Sequence, residues 1–169
     1  MKRIIVINGK GGAEKDTLCA FANAKYRTLN RSSIDPIKEM ASVVGWNGDK
    51  SFKSRKFLSD LKRIVTEYND YPLSYIISEC NDFINSDYEL LFLHIRECEQ
   101  IRQLVSSLDF PIITLLVSRG TNIKYGNSSD DNVELYKYDY IYENSLPLDE
   151  AEDDFLLFLE KMIDSTRTA

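Results

Sequence analysis

The sequence predicts an α/β fold, a single three-layer domain in which a five-stranded, mainly parallel sheet is flanked by helices. Two observations carry that expectation. Lys2 to Thr17, KRIIVINGKGGAEKDT, reads as a strand, a glycine loop and the start of a helix in immediate succession. Beyond it, short apolar or β-branched runs alternate with helical stripes, which is the pattern of repeated βαβ units.

Ile4-Ile5-Val6-Ile7 is a β-branched run of the kind buried on both faces of a sheet. Three glycines follow within Asn8 to Gly12, where the backbone can turn tightly and approach another group closely. From Lys15 the period becomes helical, with Leu18, Phe21, Ala22, Tyr26 and Leu29 on one face. Strand, glycine loop, lysine and helix together form the plan of a phosphate-binding P-loop. Loop amides and the positive helix end would face phosphates, with Lys15 as an added point charge. The pattern G-x-x-x-x-G-K-[ST] falls on Gly9, Glu14, Lys15 and Asp16, so Glu14 replaces the second glycine and Asp16 the hydroxyl residue. The structural alternative is a glycine turn between strand and helix that holds no ligand.

Composition bounds the remaining possibilities. A chain of 169 residues suits one domain able to bury a substantial core, and 43% hydrophobic with 28% charged residues is ordinary for a globular protein. The net charge of −6 argues against binding polymeric nucleic acid, which needs a basic field. No apolar run approaches the ~18 residues of a membrane span, and an N-terminal strand leaves no room for a signal peptide. A cytoplasmic protein without membrane contact is the expectation. Cys19, Cys80 and Cys98 lack metal spacing and read as reduced packing residues, while His94 is the only histidine. Nothing in the sequence fixes the oligomeric state.

Further along, Ser33-Ile34 looks like a short second strand, with Asp35-Pro36 as its exit into a helix over Ile37 to Val44. Trp46 to Asp49 is a turn. Lys50, Lys53, Arg55, Lys56, Lys62 and Arg63 cluster on or beside an amphipathic helix striped by Phe57, Leu61, Ile64 and Tyr68. That cluster is either a solvated helix face or a site for an acceptor phosphate. Tyr71-Pro72 breaks the helix, and another runs from Pro72 to about Asn85. Leu90 to Ile95 is the third strand, followed by a helix carrying Cys98, Ile101, Leu104, Val105 and Leu108. Pro111 to Ser118 is the fourth strand, and Gly120 to Asp131 a polar, mobile loop. Val133 to Tyr136 reads as a short helix, Tyr138 to Tyr142 as the fifth strand, and Pro147 to about Asp164 as the last helix. The acids Asp149, Glu150, Glu152, Asp153 and Asp154 suit that helix's N-terminus. In such a sheet ligands bind beyond the carboxyl ends of the strands. Those ends carry the loop, Asp35, His94 to Arg96, and Ser118-Arg119.

With these residues in view, the chain resembles the P-loop nucleoside monophosphate kinases, nearest to the bacteriophage-type deoxynucleoside monophosphate kinases. The loop GKGGAEKDT is similar to their GxxxxGKDT loop, in which Asp can follow the lysine. Ile34-Asp35-Pro36-Ile37-Lys38 resembles the entry to their acceptor subdomain, which implies a helical insertion over about residues 36–86. Ile95-Arg96 with Glu99 resembles their strand-end arginine segment, and Arg119 opens a lid loop over about 119–131. Asp139 to Asn144, with Leu148, is similar to their last strand and turn. The resemblance spans nearly the whole chain, but only the loop is a specific motif.

That resemblance implies ATP- and Mg²⁺-dependent phosphoryl transfer to a (deoxy)nucleoside monophosphate or another small phosphorylated acceptor. Gly9, Gly11, Gly12 and Ala13 would cradle the donor phosphates, with Lys15, Asp16 and Thr17 completing the nucleotide site. Asp16 or Thr17 would hold Mg²⁺. Lys15, Arg96 and Arg119 would stabilise charge on the transferring group. Asp35, Lys38 and Arg55 would bind the acceptor. Structural readings stand beside these: Asp35 as a helix cap, Arg96 and Arg119 as surface ion pairs, and His94 as a packed residue. Two positions depart from the family pattern, Glu14 for glycine and His94 for an acidic strand end. Glu14 brings a Cβ and a negative charge to the loop, so the sequence predicts weak ATP binding. A degenerate P-loop nucleotide binder acting through a protein partner is the competing class.

Overall fold

The structure, a computed structural model, describes residues 2–120 and 132–165. Five strands form one parallel sheet: β1 (Arg3–Asn8), β2 (Thr28–Ser32), β3 (Leu90–His94), β4 (Ile112–Ser118) and β5 (Tyr140–Glu143). Their order is β2-β3-β1-β4-β5, and every neighbouring pair is parallel. The helices are α1 (Lys15–Asn23), α2 (Asp35–Val43), α3 (Phe52–Asn69), α4 (Tyr71–Ile84), α5 (Cys98–Ser107) and α6 (Leu148–Ser165), with a 3₁₀ turn at Val133–Leu135.

β1 is central because both its faces are covered. Ile5 and Ile7 pack with α1 and α6 residues Leu18, Ala22, Phe155 and Leu159 on one side. Ile4 and Val6 pack with α4 and α5 residues Ile76, Phe83, Ile101 and Leu104 on the other. Side chains alternate across a strand, so an unbroken apolar run is what such a double burial demands. Leu90 and Phe92 join the first cluster and Leu91 and Leu93 the second, which makes β3 the second inner strand of the same kind.

Two elements lie elsewhere than the sequence predicts. The second strand is Thr28–Ser32, not Ser33-Ile34, and it pairs Thr28 with Leu90 through Ser32 with His94. Correspondingly α1 ends at Asn23, and Leu29 belongs to β2 rather than to the helical stripe. An edge strand that is only half covered needs no apolar run, and TLNRS has none. Ser33 instead turns the chain, donating its amide to the His94 carbonyl at 3.2 Å. The fifth strand starts at Tyr140 rather than Tyr138, because the Tyr138 hydroxyl and the Asp139 carboxylate are bound in the approach to it. The polar loop predicted over Gly120 to Asp131, with the lid assigned to it, lies outside the described residues beyond Gly120.

α2, α3 and α4 form the helical segment between β2 and β3. Asp70 joins α3 to α4 in a left-handed conformation, φ 52° and ψ 33°, and Pro72 sits in the first turn of α4, where no amide is required. No residue of α3 is fully buried, and Phe52 and Tyr68 are largely exposed. Among the described residues no helix is long and apolar enough to cross a membrane.

Candidate nucleotide and acceptor site

The carboxyl end of β1 runs straight into the glycine loop. Asn8 is buried and fixes this junction: its Oδ1 accepts the Gly9 amide at 2.8 Å, and its Nδ2 donates to the Tyr138 hydroxyl at 2.8 Å and to the Arg96 carbonyl at 3.3 Å. The neighbouring strand ends are thereby tied together. Gly9 could not be any larger residue, since a Cβ would lie 2.4 Å from the Val117 carbonyl oxygen on β4. Ala13 is buried under the loop, and its carbonyl accepts from the buried Asn144 side chain at 3.2 Å. Lys15 opens α1 and folds back across the loop, donating to the Gly9 carbonyl at 2.8 Å and the Lys10 carbonyl at 3.2 Å.

Glu14 holds the backbone that its position demands of glycine, φ 59° and ψ 32°. A residue with a Cβ rarely adopts this left-handed region. Its carboxylate spans the mouth of the loop: Oε1 lies 3.6 Å from Arg119, and Oε2 accepts from the Thr17 hydroxyl at 3.2 Å. Glu14 therefore sits between two groups assigned to the phosphates and the metal. Arg119 reaches the loop through this pair.

Asp16 is fully exposed at the first turn of α1, with its Oδ1 3.8 Å from His94 Nδ1. His94 ends β3, and its Nε2 lies 3.4 Å from Asn30 Oδ1 and 3.9 Å from Cys19 Sγ. Burial lowers the His94 pKa, Asp16 opposes that, and the charges of Lys15, Asp35 and Lys38 reach the ring as well. The histidine thus stands between the loop and the start of α2. Burial also pushes the Cys80 thiol up to about 12, and the Cys19 thiol is raised in the same way with Asp16 adding to it. All three cysteines are free.

Asp35 is the first residue of α2 and does not cap it, since Ile34 is the cap. Its Oδ2 instead accepts the Ser32 amide at 2.7 Å, and its Oδ1 lies 4.0 Å from Lys38. Both residues line an open hollow of about 530 Å³ together with Arg31, Glu39, Tyr75 and Glu79. Arg31 is paired there with Glu79. Arg55, the third residue expected at the acceptor, is exposed on α3 and is not part of the hollow. Arg96 is exposed just past β3, where its carbonyl serves Asn8.

The basic cluster divides. Lys56 with Asp60 and Arg63 with Glu67 form pairs one helical turn apart, as a solvated face does. Lys62 alone turns inward, to Glu97 at 2.7 Å and Ser33 at 3.0 Å. It anchors α3 to the ends of β2 and β3. Sequence reasoning placed Lys62 only in the cluster and did not single out Glu97 or Glu79, whose partners lie 35 and 48 residues away.

The loop has parts that a polyphosphate would use: a glycine at position 9, a left-handed residue before the lysine, and a lysine ammonium that lies on the Gly9 and Lys10 carbonyls. Among the described residues no three His, Cys, Asp or Glu side chains form a metal site. A Mg²⁺ ion would thus be held by Thr17 or Asp16 together with phosphate oxygens and water, the usual manner for this ion.

No protein-family model matches the sequence, and neither does any curated protein. Among solved structures, shikimate kinase from Aquifex aeolicus VF5 is similar over 94% of this chain and 96% of its own, with 13% identity and a TM-score of 0.52. A candidate kinase from Chloroflexus aurantiacus J-10-fl is similar over 70% of this chain, with 16% identity and a TM-score of 0.46. The chain spans 60% of that second protein's length. At such identity the likeness is one of architecture: five parallel strands flanked by helices, as in shikimate kinase.

Proposed function

We propose that this chain binds a nucleoside triphosphate, taken as ATP with Mg²⁺, on the loop from Gly9 to Thr17, and transfers its γ-phosphoryl group to a small acceptor. The observation that carries this is the loop itself, in which Gly9 is packed onto Val117, residue 14 is left-handed, and Lys15 lies across two loop carbonyls. Backbone amides of Gly11 and Gly12 at the N-terminus of α1, with that of Ala13 once it leaves the Lys10 carbonyl it now bonds, would receive the β- and γ-phosphates. When bound, Mg²⁺ would offset charge on those oxygens. Lys15 would add to that neutralisation, with Arg119 and Arg96 at the rim stabilising the equatorial oxygens in the transition state. In the transfer an acceptor oxygen bonds to the γ-phosphorus as the bond to the β,γ-bridging oxygen breaks. ADP leaves with the electron pair, and the acceptor's proton passes to solvent. A kinase fold shared with shikimate kinase fits this chemistry.

The acceptor would enter between the loop and the helical segment at about 36–86, beside Asp35 and Lys38. Resemblance to the deoxynucleoside monophosphate kinases would make it phosphorylated, with Lys38 and Arg31 as the cations within reach, since Arg55 stands outside the hollow.

A second reading, a nucleotide binder without transferase activity, is favoured by one feature. Glu14 occupies the ground between Thr17 and Arg119, and phosphate must displace it. The test common to both readings is thermal denaturation with several millimolar Mg-ATP, since a ligand bound only by the native state raises its melting temperature. The wild-type protein should gain stability and Lys15→Ala should not. An unchanged melting temperature in the wild-type protein would remove the nucleotide site altogether. ADP release with and without an acceptor then separates enzyme from binder.

A further inference from the structure

The hollow at the start of α2 is poorly made for a phosphorylated acceptor. A phosphate monoester carries nearly two negative charges at neutral pH and is recognised by cations with bonding capacity to spare, above all an arginine fork. Here three carboxylates, Asp35, Glu39 and Glu79, face two cations. Arg31 is engaged: Nε is bound by Glu79 and Nη1 donates to the Asn30 carbonyl at 3.0 Å. Burial is the largest influence and works against its charge, but the Glu79 hydrogen bond together with the charges of Glu79, Tyr75 and Asp35 outweighs it and raises the Arg31 pKa. Lys38 faces Asp35. Glu39 has no salt-bridge partner among the described residues and leaves the hollow with a surplus negative charge.

Two further observations give the hollow an orientation. Tyr75 lines the hollow together with Glu79, Asp35, Arg31 and Glu39, and burial with the Glu79 charge raises its pKa to about 12. It stays a neutral hydroxyl that both donates and accepts. At the other end, Asp35 accepts the amide of Ser32, which pairs with His94, and the His94 ring lies 3.8 Å from Asp16 at the start of α1. A small molecule held in the hollow would therefore have one end turned toward the phosphate-binding loop.

We infer that this hollow binds an unphosphorylated small molecule carrying hydroxyl groups and a cationic amine, with the amine against Glu39 and Asp35 and the hydroxyls against the Arg31–Glu79 pair and the Tyr75 phenol. As the acceptor, it rests on the phosphoryl-transfer reading above; as a binding site, it does not. One hydroxyl oxygen would bond to the γ-phosphorus, ADP would leave, and the hydroxyl proton would pass to solvent. The product is the phosphate ester of an amino alcohol.

The test is an amide-resonance titration of the full chain with four probes: glucosamine, glucose, glucose 6-phosphate and deoxythymidine monophosphate. The first three differ chiefly in charge. Glucosamine should shift the amides of residues 31–39 and 75–79 with an affinity at least tenfold above that for glucose 6-phosphate, and clearly above that for glucose. Glu39→Lys, an exposed change on α2, should weaken glucosamine at least fivefold and strengthen glucose 6-phosphate. The inference is overturned by equal affinities for glucosamine and glucose, by tighter binding of either phosphorylated probe, or by no shift at these amides with any probe. Mg-ATP in a parallel titration reports on Gly11, Gly12 and Lys15 separately. Its failure would remove phosphoryl transfer and leave the hollow's preference standing.

Discussion

At Glu14 the chain keeps the backbone of a glycine and adds a carboxylate. For a residue with a Cβ the left-handed conformation costs about 1–2 kcal/mol. The ion pair with Arg119 offsets little of that, since both side chains are about half exposed, at 49% and 46%. Such strain at a loop that would meet phosphates is a candidate functional feature rather than a packing accident. His94 is the other informative single residue. Burial lowers its pKa from the ordinary 6.5, with Asp16 acting in the opposite direction. Between the lowered value and 6.5 the unfolded chain binds more protons than the native one, so stability rises with pH across that window and falls on acidification through it. His94→Asn should flatten this part of the melting-temperature profile below pH 7. An unchanged slope in the variant would assign the acid sensitivity to another group.

Among the elements, the hinge between α3 and α4 tests the same backbone logic away from any site. Asp70 is left-handed at φ 52°, and its Oδ1 is buried without a hydrogen-bond partner in the described structure. Glycine there removes both penalties, so Asp70→Gly should stabilise the protein by about 1 kcal/mol in urea denaturation. Destabilisation would mean that the Asp70 side chain makes a favourable contribution to the hinge. Legibility in the sequence also varied by element, for physical reasons. β1 and β3 announce themselves because burial on both faces requires unbroken apolar runs. β2 does not, because an edge strand is stabilised by its ladder to β3 and can be written TLNRS. Of the two readings open for the basic cluster, a solvated face or a phosphate site, the pairs of Lys56 and Arg63 with acids of the same helix fit the first, and only Lys62 turns to the strand ends. The hollow was only partly legible. Asp35 and Lys38 follow β2 in a recognisable segment, whereas Tyr75 and Glu79 arrive from α4 through tertiary folding.

On the scale of the whole molecule, the parallel sheet gathers the carboxyl ends of β1, β3 and β4 at one edge. The loop, His94 and Arg119 meet there because Asn8 bridges the strand ends and Gly9 packs against β4. The central claim is that this convergence is a polyphosphate site whose mouth is held by Glu14. The most direct measurement is ATP affinity by calorimetry with Mg²⁺ for three proteins: wild type, Glu14→Gly, and Glu14→Gly with Lys15→Ala. Glycine restores conformational freedom, removes the carboxylate from between Thr17 and Arg119, and leaves the rest of the loop intact. Weak binding in the wild type, a gain of at least tenfold in Glu14→Gly, equivalent to about 1.4 kcal/mol, and loss of that gain in the double variant is the predicted result. Micromolar binding in the wild type that Glu14→Gly leaves unchanged would contradict the account, because the carboxylate would then stand clear of the phosphates.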